Sequence, residues 1–222
     1  MRILIVAATQ TEIKSSDLFI NKIINNKIDT LITGIGGVAT TYALTDYLNG
    51  NKVDIIIQAG IAGCFTKNIL GEVFAVKTET FADLGVWENK KFNSVFDLNL
   101  EHKNNFPFKR GLLQNPNKKL LALSHVKKVS GISVNEITTD KKRIDWLKQN
   151  LSPFVESMEG AAFHYVCLQK QIPFIQLRAI SNFVGQRNKA KWKIKEAVTN
   201  LNEKLIALLN ELSNYDETYF RI

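Results

Sequence analysis

Runs of consecutive apolar residues mark six buried strands along the chain, at about residues 2–8, 29–33, 53–59, 72–77, 127–134 and 173–180. β-Branched residues are frequent in these runs and turn-forming residues bound them, the pattern of strands covered on both faces. Between them the apolar positions change period. Helical spacing appears at about 38–49 (VATTYALTDYLN), 139–150, 159–170 (EGAAFHYVCLQK) and 189–213, where Ile194, Val198, Leu201, Leu205, Leu208 and Leu209 recur on one face. Strands alternating with helices predict an α/β fold with a parallel or mixed sheet covered on both sides. Residues 84–118, rich in Asn and Lys, show neither period and read as an irregular excursion on the rim. Sheets of this kind bind ligands beyond the carboxyl ends of their strands, which draws attention to residues 8–12, 34–37, 60–63, 134–138 and 180–185.

Composition narrows the possibilities. At 222 residues and 45% hydrophobic, with no internal repeat or linker, the chain is expected to form one domain over residues 1–222. Its first residues, MRILIVAATQTEI, are too short an apolar run to span a bilayer and lead into no cleavage site. A cytoplasmic protein with no membrane partner is the expectation. Cys64 and Cys167 lie far apart, without metal-ligand spacing, and read as buried reduced thiols. The net charge of +8 raises the question of nucleic acid. However, the basic residues are scattered, and Lys118-Lys119, Lys127-Lys128 and Lys189 to Lys195 lack the interleaved aromatics of a strand-binding platform, so no nucleic-acid partner is expected. A positive surface suits an anionic small substrate.

Three strands run directly into glycine or polar residues: Ile3–Ala8 into Thr9-Gln10-Thr11-Glu12, Leu31–Thr33 into Gly34-Ile35-Gly36-Gly37, and Ile55–Ala59 into Gly60-Ile61-Ala62-Gly63. Glycine there lets a ligand approach the backbone. The Gly34-Gly36-Gly37 spacing fits neither the dinucleotide fingerprint nor the phosphate-binding loop with its lysine, so neither cofactor class is supported. Two later segments are more specific. Val155-Glu156-Ser157-Met158-Glu159-Gly160-Ala161-Ala162 puts an acid at the opening of a helix of small residues, and Arg178-Ala179-Ile180-Ser181-Asn182 ends a strand with hydrogen-bonding side chains.

In these ordered motifs the sequence resembles, over nearly its whole length, the purine nucleosidase and nucleoside phosphorylase family of the methylthioadenosine/S-adenosylhomocysteine type. The resemblance implies a three-layer α/β/α sandwich around a central twisted mixed sheet, and hydrolysis of a purine nucleoside without cofactor or metal. It implies that Glu12 activates the attacking water, that Glu159 holds the ribose hydroxyls and favours the cationic sugar, and that Met158 packs on the ribose. By the same resemblance, Arg178 supports the carboxylates, Gly60 and Ser181 belong to the matching motifs, and the Ser133–Thr138 turn reads the base through Val134 and Ile137. Ile137 is as readily core as base platform. Relatives pair as homodimers that complete the pocket across the interface, so a homodimer or higher homo-oligomer is implied.

Asn182 departs from the pattern, because adenine-specific members carry Asp there. An amide cannot act as an acid, but its NH2 can donate to purine N7 and to a 6-oxo group. That points to a 6-oxopurine such as hypoxanthine. Phe81-Ala82-Asp83-Leu84-Gly85, the 157–162 segment, and Ile180–Gly185 with Arg187-Asn188 and Trp192 resemble the branch of the family that hydrolyses futalosine, a nucleoside bearing a benzoate group, in menaquinone formation. The residue that meets the benzoate is not legible. Phosphorolysis is the rival reading, but a phosphate nucleophile needs anion donors. No Arg lies between residues 3 and 108, and Ile61 stands where the phosphorylases carry Ser. A methylthioadenosine/S-adenosylhomocysteine nucleosidase and a non-catalytic nucleoside-binding module are further alternatives. His164 reads as a packed or exposed histidine, and Trp87 and Trp192 as rim or interface residues.

Overall fold

The structure, a computed structural model, describes residues 1–16, 27–67, 69–88 and 91–220. Six strands follow the expected runs: β1 (Arg2–Ala7), β2 (Lys27–Ile32), β3 (Ile55–Cys64), β4 (Val73–Glu79), β8 (Lys128–Ser133) and β10 (Phe174–Phe183). Four are additional. β5 (Gly85–Glu88) and β6 (Lys91–Ser94) form a separate hairpin within the supposed irregular excursion, and β7 (Leu113–Gln114) and β9 (Val155–Ser157) are too short to show a period. The helices are α1 (Gln10–Ile13), α2 (Gly37–Gly50), α3 (Lys118–Leu123), α4 (Lys141–Asn150), α5 (Gly160–Gln169) and α6 (Ile194–Leu212). The expected helix from 189 begins later, because Lys189–Lys191 form a separate 3₁₀ turn. Both strands run past their expected ends: β3 continues through 60–63, expected to follow the strand as a Gly-rich turn, and β10 continues to Phe183, the two paired in parallel from Ile56 to Cys64.

The mixed sheet curls. β3 pairs with β10, β10 with β4, β4 with β8, β8 with β9, and β9 returns to β3, closing a ring of five strands. β1 and β2 extend outward in parallel from β3. Alternation along β1 supplies both faces, as a period of two demands. Ile3, Ile5 and Ala7 join one core with Leu201, Leu205 and Leu209 of α6, whereas Leu4 and Val6 join another with Leu44 of α2 and Phe163 of α5. Helices thus cover the sheet on both sides. Along α6 the buried Ala197, Leu201, Leu205, Leu208 and Leu212 form one apolar stripe, which fixes the face that the helix turns to β3 and β10.

Candidate active site

A cavity of about 420 Å³ opens beyond the carboxyl ends of β1, β3 and β10. Every strand-end segment singled out above reaches it: Ala8, Thr9 and Glu12; Ile35; Ile61 to Gly63; Val134 and Ile137; and Ser181, Asn182, Val184 and Gly185.

Glu12 is placed by a capping box. Thr9 caps α1 and Glu12, three residues on, turns back so that its Oε2 accepts from the Thr9 N–H at 3.1 Å and the Thr9 hydroxyl at 3.3 Å. Its other oxygen, Oε1, accepts the Ile61 N–H at 2.9 Å. Glu159 stands at the N-cap position of α5 and is equally buried, but its side chain turns away from the helix: its Oε1 accepts from the Gly36 N–H at 3.1 Å. Gly36 has φ +93°, a conformation that glycine adopts without strain.

Arg178 joins the two acids. Its Nη2 lies 3.4 Å from Glu159 Oε2 and donates to Gln58 Oε1 at 3.1 Å, and its Nη1 donates to the Ile61 carbonyl at 3.3 Å. One peptide, that of Ile61, therefore holds Glu12 by its N–H and Arg178 by its C=O. Gly60 makes this approach possible: a Cβ there would collide with Arg178 Nη1 and stand 3.0 Å from Glu12 Oε1. Arg178 is 1% exposed, so it meets the cavity only through its partners.

Asn182 is aimed by a bulge. The β3–β10 register runs from Ile180 opposite Ala62 directly to Asn182 opposite Gly63, leaving Ser181 as the extra residue. Bulges re-aim side chains next to functional sites. The Ser181 hydroxyl donates to Asn182 Oδ1 at 2.8 Å, which fixes the amide's orientation, and Nδ2 donates to the Phe183 carbonyl at 3.0 Å. One N–H of the amide remains for the cavity, where two were expected.

Met158 lines the cavity, half-buried. Val134 is buried while Ile137 is 42% exposed on the cavity wall, so Ile137 is not core. Their loop is held by Glu156, whose Oε1 accepts the Thr138 N–H at 3.1 Å; burial pushes the Glu156 carboxyl above the usual range. Glu156, Thr11, Gln186, Arg187 and Val198 also line the cavity and were not singled out as site residues; Trp192 joins them as a wall residue. The signal available for Glu156 was an acid inside a short strand otherwise destined for burial. Trp87 instead packs edge-on against Trp146.

Behind the cavity a second polar group is sealed in. Glu79 accepts from Gln176 Nε2 at 3.0 Å and from the Ser133 hydroxyl at 3.2 Å, and Ser133 Oγ accepts the Ala161 N–H at 2.7 Å. Gly131 and Gly160 both leave room for the Glu79 carboxyl. Burial without a directly paired cation pushes its pKa up to about 7. His164, fully buried, approaches the Leu113 carbonyl at 3.2 Å, and burial lowers its pKa to about 3, so it stays neutral near pH 7 as a packed histidine. Cys64 and Cys167 are buried free thiols. Among the described residues no group of three or more His, Cys, Asp or Glu is arranged for a metal, and no helix is long and apolar enough to cross a membrane.

The cavity, with Glu12 in the first turn of α1 and Glu159 at the start of α5, lies in a chain of known family: residues 7–214 match the model of the phosphorylase superfamily, and the chain belongs to it. Within that superfamily it is 32% identical over 185 residues to the futalosine hydrolase of Thermus thermophilus, a match covering 82% of this chain and 80% of that one. It is 25% identical to the 5'-methylthioadenosine/S-adenosylhomocysteine nucleosidase of Haemophilus ducreyi, over 96% and 93% of the two chains. Among solved structures, the futalosine hydrolase of Helicobacter pylori superposes with a TM-score of 0.80 at 17% identity, covering 96% of this chain and 98% of the other, a likeness of fold.

Proposed function

We propose that this chain hydrolyses the N-glycosidic bond of futalosine, releasing hypoxanthine and dehypoxanthine futalosine, as a cytoplasmic step of menaquinone formation carried by one domain spanning residues 1–222. The observation that carries the reading is the single Arg178–Ile61 scaffold that holds Glu12 and Glu159 at one cavity, with the Asn182 amide on its wall. Glycoside cleavage passes through an oxocarbenium-like sugar, which nearby carboxylates stabilise and one of them supplies with activated water. In this reading Glu12 takes a proton from water as the water attacks the anomeric carbon, and the electron pair of the breaking C–N bond leaves with the base. Glu159 accepts hydrogen bonds from the ribose hydroxyls and Met158 packs on the sugar. The free Asn182 N–H stabilises negative charge developing on the departing 6-oxopurine, while Val134 and Ile137 flank the ring.

Hydrolysis is favoured over phosphorolysis by occupancy of the anion position. The Ile61 N–H, which would otherwise meet a phosphate oxygen, is already taken by Glu12, and a phosphate there would face that carboxylate. The relatives named futalosine hydrolase support the substrate. The test is release of free base, without phosphate, from futalosine, inosine, methylthioadenosine and S-adenosylhomocysteine. Hypoxanthine release from futalosine is expected at the highest kcat/KM; preferential adenine release, or turnover that requires phosphate, overturns the assignment.

The reading extends to a homodimer. Ile35, Val38 and Tyr42, at the start of α2, are 64%, 83% and 74% exposed beside the cavity, an apolar face that a second copy would cover. Light scattering that returns the monomer mass at micromolar concentration would remove this part.

A further inference from the structure

The wall of the cavity carries an asymmetry that the hydrolytic chemistry leaves unused. Its charged lining residues are Glu12, Glu156, Glu159 and Arg187. Three acids thus face one cation, since Arg178 is buried behind them. Arg187 stands on the connection between β10 and α6, the segment that leaves Asn182 and crosses to the wall formed by Ile194 and Val198. Its guanidinium lies over the indole of Trp192, 5.7 Å from the ring centroid.

This connection is locked rather than loose. Gly185 turns it at φ +88°, with no room for a side chain against Ile144 Cδ1. The Trp192 Nε1–H donates to the Gln186 carbonyl at 2.8 Å, Gln186 Oε1 accepts the Asn188 N–H at 2.9 Å, and the Lys193 N–H donates to the Ser181 carbonyl at 2.8 Å. Arginine and tryptophan are therefore presented together on a wall whose other members, Val184, Ile194 and Val198, are apolar.

We propose that Arg187 and Trp192 form the subsite for the arm of the substrate beyond the ribose, and that this subsite is built for an aromatic ring carrying a carboxylate. The proposal rests on the futalosine reading, whose benzoate has this chemistry. A planar guanidinium, backed by the indole it lies on, grips a carboxylate with two parallel N–H donors, and the apolar Val184, Ile194 and Val198 beside it suit the ring. Among the described residues lining the cavity, Arg187 is the one cation, and every other charged side chain there is an acid that would repel a carboxylate.

The test compares wild type with Arg187→Ala, Arg187→Lys and Trp192→Leu. In Arg187→Ala, kcat/KM for futalosine is expected to fall roughly 10–100-fold, mostly through KM, the effect of losing a charge-assisted hydrogen-bonded pair. The preference for futalosine over inosine, which has the same base and ribose but no aromatic acid, should fall by the same factor. Arg187→Lys should recover part of the loss, because the charge returns without the fork. Inhibition by hypoxanthine reports an intact base site and should change less than about twofold, the readout that a merely structural defect would move. Equal losses for futalosine and inosine, or an unchanged preference in both Arg187→Ala and Trp192→Leu, would overturn the subsite while leaving the hydrolase reading standing. Failure of the wild type to cleave futalosine overturns both.

Discussion

Two acidic groups lie one layer apart in this molecule, similarly buried, yet set up for opposite behaviour. At the cavity, Glu12 accepts from the Thr9 and Ile61 N–H groups, Glu159 accepts from the Gly36 N–H and pairs with Arg178, and each lines open space. Beneath the first turn of α5, Glu79 has only the neutral donors Gln176 and Ser133 in direct contact, with neutral His164 close by and Arg178 and Glu159 acting at longer range. Burial alone is therefore a poor guide to a carboxylate's role: Glu12 and Glu159 open onto the cavity, whereas Glu79 is sealed among neutral groups that favour its proton.

The comparison breaks most visibly at Glu12. Glu12→Ala should lower kcat by about 10²–10⁴-fold, the usual worth of a positioned general base, while substrate binding measured by calorimetry changes little. A loss confined to KM would instead make Glu12 a binding residue. Glu159→Gln keeps the shape, removes the charge and leaves Arg178 without its acid, so kcat/KM should drop about 10²–10³-fold, a size typical of lost electrostatic stabilisation. Activity within a few-fold of wild type would discard the sugar-stabilising role.

Glu79 gives the contrasting result, in stability. Its folded-state pKa, about 7, lies above the ordinary carboxylate value, so the folded state prefers the proton. The contribution is complete at pH below about 4 and fades as pH rises through 7, because the unfolded chain then ionises freely while the fold must hold a charge in a dry site. Wild type should therefore lose Tm, roughly 5–10 °C from this group, between pH 5 and 8. Glu79→Gln mimics the protonated acid, since its NH2 can donate to Ser133 Oγ, and should flatten that slope. A slope that survives the substitution would show that Glu79 is ionised in the fold. The smallest expected effect is at Asn182, where Asn182→Asp should shift base preference from hypoxanthine toward adenine nucleosides by about 10–100-fold, read from competing substrates. An unchanged ratio would place base selection elsewhere.

Much of this was readable before any coordinates. The apolar runs located β1, β4 and β8 closely, and the starts though not the ends of β3 and β10, because strands buried on both faces leave little room for polar positions. Glu12 followed the end of the first strand, and the acid before Gly160-Ala161-Ala162 lay at the opening of its helix, whereas the Thr9–Glu12 capping box showed only in the structure. Short β7 and β9 were not readable, since two or three residues carry no period and their pairing comes from distant strands. Gln58, Gln176 and Glu79 were visible as polar interruptions in apolar strands, yet nothing in their spacing paired Gln58 with Arg178 or Glu79 with Gln176.

By itself the sequence determined the local things: which segments alternate or repeat at helical spacing, which acid opens a helix of small residues, and that residue 182 is an amide and not an acid. Only the tertiary structure decided that β3 and β10 run on past their expected ends, that Ser181 bulges so that Asn182 faces the cavity, and that the Ile61 peptide ties Glu12 to the arginine that pairs with Glu159. Capping and periodicity are settled within a few neighbouring residues, whereas a closed ring of strands brings together positions more than a hundred apart, and their chemistry exists only once the ring has formed.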